Sequence, residues 1–245
     1  MTSGGGQADF YLMTVLCFLY KNIEKLKLTD QKLSQTFYFL MMIFFVSNTM
    51  LVGMAIKIFE NEQDQYSISY ANTFVLFCVR FISAIALHCV IFPEVRKGMV
   101  IMKYVNNHPE SFRSSNIPFF IGLMQVWTAI FAEIVNIYFL THQPIVEDCI
   151  IYFIAFNVVI ELPSLYFEAI HFDNPMLEVF HTEVIFTNKS SNIKFRDRKC
   201  FHKVFRIIYK IVRGLYVSLI FYFAPFMVLV LQFFFAKEKV DSVTE

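Results

Sequence analysis

Five apolar stretches of 21 to 25 residues constrain the fold more than any other feature of the chain; four hold at most one charge each, and 146–170 holds Glu147, Asp148, Glu161 and Glu168. They cover residues 36–56, 71–92, 117–140, 146–170 and 214–236. At about 1.5 Å of rise per residue, each is long enough to cross a hydrocarbon layer about 30 Å thick. Lipid offers no partner to a peptide N–H or C=O, so a crossing segment must satisfy its own backbone, as a helix does. The expected fold is an all-α integral membrane protein, a bundle of about five transmembrane helices. Composition points the same way: 57% of residues are hydrophobic and 17% charged, against about 25% charged in an ordinary soluble domain. A net charge of +1 gives no electrostatic basis for binding nucleic acid, and none is expected as a partner.

Residues 1–35 form an N-terminal tail and interfacial helix, and 36–245 the transmembrane domain. FYLMTVLCFLY (10–20) is too short to span; no basic residue precedes it and no small-residue cleavage site follows. It runs into Asn22-Ile23-Glu24-Lys25-Leu26-Lys27-Leu28, an amphipathic stretch that suits a membrane surface. The loop over 93–108, beginning PEVRKGMVIMKYV, sets bases on one face and apolar residues on another, which predicts a second interfacial helix. In 177–198, Ile193 and Phe195 alternate with Lys194 and Arg196 beside the turn sequence NKSSN, the pattern of a small β-hairpin.

The basic residues set an orientation. Of the 21 Lys and Arg, seventeen fall in 1–35, 93–116 and 171–213, and only Lys57, Lys237 and Lys239 fall in the alternate connections. Short loops rich in Lys and Arg stay on the cytoplasmic side. The N-terminus is therefore expected there, and an odd number of crossings sends the C-terminus to the other side. Glu60, Glu62, Asp64, Glu147, Asp148, Glu238 and Asp241 make that far side acidic. Which membrane is involved is not encoded.

Lys203, Arg206, Lys210 and Arg213 recur at steps of three and four, so they share one helical face leading into the last span. They lie before the apolar run rather than in the membrane field. That favours binding of anionic lipid head groups over voltage sensing.

Charges inside an apolar run cost about 2.5–3.5 kcal/mol at the bilayer centre and normally find partners in the bundle. Arg80 and His88 share a face with Ala84; Gln125, Ala129, Glu133 and Asn136 share another; Asn157, Glu161, Ser164 and Glu168 a third. Counting residues from the far end of each span pairs Arg80 with Glu133 and His88 with Glu161, each to within about 3 Å of depth. These stripes predict an intramembrane polar seam of Arg80, His88, Gln125, Glu133, Asn136, Asn157 and Glu161. It either holds helices in register through ion pairs or lines an ion path. Pro163 and Pro225 are expected to kink their helices.

Chemistry-bearing motifs are missing. There is no phosphate-binding glycine loop, no HExxH and no nucleophile elbow. Cys17, Cys78, Cys89, Cys149 and Cys200 have no metal or redox spacing. No catalytic residue, metal or cofactor is expected. With 7 glycines, close glycine crossings are not expected as the main packing mode. His171, Asp173 and His181 would be the candidate groups of a lipid-acting enzyme, a remote third option. The expected function is a non-enzymatic structural or accessory subunit of a larger membrane assembly. Its partners would be the bilayer, anionic lipids on the inner face and other membrane chains. The alternative is an ion channel or proton-coupled transporter working through the seam.

Overall fold

The computed structural model describes residues 11, 15, 18, 30–62, 74–143, 145–169 and 200–241. Among them the chain is almost entirely helical and has no strand. The elements are α1 (Asp30–Glu62), α2 (Phe74–Asn107), a 3-10 turn (Pro109–Ser111), α3 (Asn116–His142), α4 (Val146–Ala169), α5 (Cys200–Leu215), a π-helical turn (Tyr216–Ile220) and α6 (Phe221–Asp241). The hairpin expected over 177–198 lies outside the described residues, as does nearly all of the N-terminal interfacial helix.

Local chemistry explains the ends. Pro109 disfavours helical backbone at His108, and α2 stops at Asn107. Pro118 falls in the first turn of α3, where an N–H has no intrahelical acceptor to lose. Glu147 and Asp148 in the first turn of α4 complement the positive end of its dipole.

Among the described residues, four segments are long and apolar enough to cross a membrane: Ser34–Ile56, Phe74–Asn107, Asn116–His142 and Lys203–Leu231. The segment 146–170, expected as a fifth, forms α4 but is not among the four. Its described side chains include Glu147, Asp148 and Glu161.

Residues 93–107 are not a separate surface helix as expected. They continue α2, which runs through Pro93 for 34 residues in all. A proline removes one backbone donor, a local loss. Val95, Ile101, Met102 and Val105 are buried beyond it at helical spacing, and that packing holds the continuation in line. Arg96, Lys97 and Lys103 remain exposed.

The chain divides into two compact units, and α1 to α5 each contribute to both. The first takes α1 up to Val46, α2 from Glu94, α3 up to Trp127, α4 from Glu161 and α5 up to Arg213. The second takes α1 from Ser47, α2 up to Pro93, α3 from Thr128, α4 up to Ile160 and the chain from Gly214.

In the first unit α2 and α3 cross at two glycines. A Cβ on Gly98 would lie 2.8 Å from the Gly122 carbonyl oxygen and 2.7 Å from Val126 Cγ2. A Cβ on Gly122 would lie 3.0 Å from the Gly98 oxygen. Composition gave no hint that two of so few glycines meet. Phe119 of α3 stacks on Phe205 of α5, with ring centroids 4.2 Å apart.

In the second unit the core gathers Leu76, Ala84, Leu140, Cys149 and Val228. Phe139 joins α3 to α4 by ring contacts with Tyr152 and Phe156. Phe81 and Phe92 of α2 meet Phe226 and Phe221 of α6.

Candidate functional site, a buried histidine–carboxylate pair

The second unit holds the most strongly polar contact inside an apolar stretch. His88 Nδ1 lies 2.5 Å from Glu133 Oε1, joining α2 to α3. Both residues are buried, Glu133 to 3% exposure. One proton sits between the ring nitrogen and the carboxyl oxygen in this bond. Glu133 Oε2 is buried and has no hydrogen-bond partner.

The last helical stretch closes over this pair. Phe221 places its ring 5.7 Å from the His88 ring and 5.1 Å from that of Phe92. Phe221 follows the π turn, and its N–H donates to the Tyr216 carbonyl. Tyr216, at the start of that turn, is 1% exposed, and its ring centroid lies 6.4 Å from that of Phe221. Its hydroxyl also has no hydrogen-bond partner. A π turn admits one extra residue into the helix and shifts the backbone pairing. Pro225, where a kink was expected, lies inside α6, and the π turn begins nine residues before it.

The pairing differs from that expected. Arg80 is fully buried but does not reach Glu133. Its Nη2 donates to the Gln143 carbonyl at 2.5 Å, just past the end of α3, and its guanidinium faces Cys149. The reason is axial offset. With Glu133 opposite His88 on an antiparallel neighbour, Arg80 lies eight residues, about 12 Å, further along. Counting from the ends of the apolar runs assumed those ends were level, and α2 is displaced along α3. Glu161 was expected to pair with His88. It is exposed and belongs to the first unit, and Glu133 holds the position instead.

The other expected members of the seam separate in the same way. Gln125 is buried in the first unit, where its Nε2 donates to Glu94 Oε2 at 2.9 Å. Glu94 also receives Lys97 Nζ at 2.7 Å. Asn136 is buried in the second unit. Asn157 is half-buried and donates to the Phe153 carbonyl of its own helix, so that bond joins no second element. Lys203, Arg206, Lys210 and Arg213 all lie on α5, the first half-buried and the other three exposed.

Comparison with protein-family models, with curated proteins and with solved structures finds no match to this chain.

Reasoning from the sequence passed over Glu94, Tyr216 and the bond from Asn48 Nδ2 to Thr128 Oγ1, 3.0 Å long in the second unit. Asn48 was detectable as the amide of an otherwise uncharged run. Tyr216 was not, because an aromatic residue at the start of an apolar span looks like any lipid-facing one. Among the described residues no three His, Cys, Asp or Glu side chains are grouped to hold a metal.

Proposed function

We propose that the chain is a multi-pass integral membrane protein with five crossings, acting as a non-enzymatic structural or accessory subunit of a larger membrane assembly. The outward faces support a bilayer. Phe45, Phe74, Ile82, Trp127, Ile134, Phe223 and Phe233 are among many large apolar side chains left exposed. Such surface is an aggregation hazard in water and a favourable one in lipid. At 24 residues α4 reaches about 36 Å and is long enough to be the fifth crossing.

The observation that carries the structural role is that four polar side-chain contacts tie one element to another within the chain. His88 meets Glu133, Gln125 meets Glu94, Asn48 meets Thr128, and Arg80 meets a helix-end carbonyl. Each such contact in a membrane contributes on the order of 0.6–2 kcal/mol and selects which helix faces meet. The test is extraction from the native membrane in mild detergent. The chain should co-migrate with other membrane chains. A lone monomer, whose removal leaves every membrane assembly intact, defeats the proposal.

The far-side Lys and Arg deficit supports an N-terminus on the cytoplasmic side. In a background without native cysteines, Arg113→Cys and Lys239→Cys should label from opposite faces of sealed vesicles. Labelling from the same face means an even number of crossings. The basic face of α5 supports binding of anionic lipid, at about 1 kcal/mol per base near a charged surface. Replacing Lys203, Arg206, Lys210 and Arg213 together by Gln should strip co-purified anionic lipid while sparing zwitterionic lipid, as read by lipid mass spectrometry.

A second reading, ion or proton-coupled transport, is favoured by the unpartnered Oε2 of Glu133. Liposome flux decides it: no H⁺, Na⁺, K⁺, Ca²⁺ or Cl⁻ flux, or flux unchanged in Glu133→Gln, removes it.

A further inference from the structure

Helix α4 buries one face within the chain and leaves the opposite face open. Cys149, Phe156, Val159 and Pro163 are buried along the first, where the Phe156 ring meets Phe139 of α3. Glu147, Ile151, Ile154, Val158, Glu161 and Leu165 are all exposed. They recur at steps of four, three, four, three and four, which places them on one stripe of this single helix. Ile151, Ile154 and Val158 are β-branched, so each keeps close to one rotamer in a helix and loses little freedom when packed. Such a stripe suits the left-handed crossing by which most membrane helices pack.

Glu161 is the anomaly on that stripe. It lies thirteen residues, about 20 Å, from Asp148 near one end of α4 and eight residues, about 12 Å, from Ala169 at the other. Across a hydrocarbon layer about 30 Å thick, that depth is well inside. Among the described residues of the five apolar segments, it is the one exposed charged side chain more than a turn from a helix end. It has no hydrogen bond or ion pair among the described residues. Ionisable groups inside a membrane normally face the interior of a bundle and pair there. Glu161 meets that rule only if the interior extends past this chain.

Chemistry selects the occupant. As a carboxylate in lipid, Glu161 needs a counter-charge; as an acid, its carbonyl oxygen needs a donor. A Lys or Arg side chain meets both needs, so the requirement is the same for either form. A second copy of this chain cannot supply one. Across its five apolar segments the chain holds a single Lys or Arg, Arg80, and it is fully buried. We propose that this face of α4 docks a transmembrane helix of a different membrane chain, with a Lys or Arg of that helix bonded to Glu161 and its apolar residues packed on Ile151, Ile154 and Val158. The proposal rests on the reading of the chain as an assembly subunit with α4 as a crossing. It adds which face joins the assembly and what the partner carries.

The experiment uses the full chain in its native membrane. Ile154 and Val158 are replaced in turn by the photo-crosslinker benzoylphenylalanine, and the adducts are mapped by mass spectrometry. Both positions should join the same apolar segment of a different chain, and that segment should contain Lys or Arg. Glu161→Leu should lower the yield at least tenfold. Glu161→Lys should lower it as far, and replacing the partner's base by Glu should then restore it. The proposal is overturned if the adducts are lipid only, a second copy of this chain or a segment without Lys or Arg, or if Glu161→Leu leaves the yield unchanged. Failure of the underlying reading looks different, because the chain then extracts as a lone monomer. A chain that co-migrates with others yet gives no partner adduct at Val158 overturns this inference alone.

Discussion

Replacing His88 by leucine should destabilise the protein by about 3–5 kcal/mol, the usual cost of removing one partner from a buried pair. Glu133 would be left 3% exposed with neither oxygen bonded. The sharper test is the double replacement, His88→Leu with Glu133→Leu. Apolar side chains of similar volume remove the desolvation cost together with the bond, and such exchanges are often neutral or stabilising by about 1–4 kcal/mol. The double variant should therefore be more stable than the single one. Both are read by reversible unfolding in mixed micelles. A double variant at least as unstable as His88→Leu alone means that His88 is held by its packing on Phe221 rather than by the carboxylate.

The second large effect belongs to the glycine crossing of the first unit. Gly98→Ala puts a methyl group 2.8 Å from the backbone oxygen of Gly122, which cannot rotate away. Forcing atoms into a packed contact costs about 1–3 kcal/mol, partly offset by the gain of about 1 kcal/mol for alanine over glycine within a helix. The net change should be destabilising, and Gly98→Val should be worse. Gly53 on α1 is the internal control. No atom lies within 4 Å of a Cβ built there, so Gly53→Ala should be neutral or stabilising. If Gly98→Ala and Gly53→Ala shift unfolding in the same direction, the close approach of α2 and α3 is wrong.

Much of the helical layout could be read from the sequence because its cause is local. Apolar runs bounded by charge and proline mark α3 to within two residues and locate α1 and the last helix, and the basic spacing from Lys203 to Arg213 marks α5. Pro93 misled in the other direction. A proline after an apolar run resembles a boundary, yet α2 continues through it because the packing of residues 95–105 outweighs one lost hydrogen bond. The polar residues were legible as individuals and not as pairs. Arg80, His88, Gln125, Glu133 and Asn136 are all buried as their placement in apolar runs predicts. Glu161 is not, because its face of α4 is exposed.

By itself, the sequence determined that the chain is built of long apolar helices, and which polar groups would need partners inside them. Backbone self-satisfaction and the cost of burying charge are properties of each segment alone. The tertiary structure decided who those partners are. That depends on the axial offset and rotation of one helix against its neighbour, and no residue count along a single segment contains either. A displacement of about two turns moved Glu133 from Arg80 to His88, and the residue after the π turn, Phe221, sets its ring against His88.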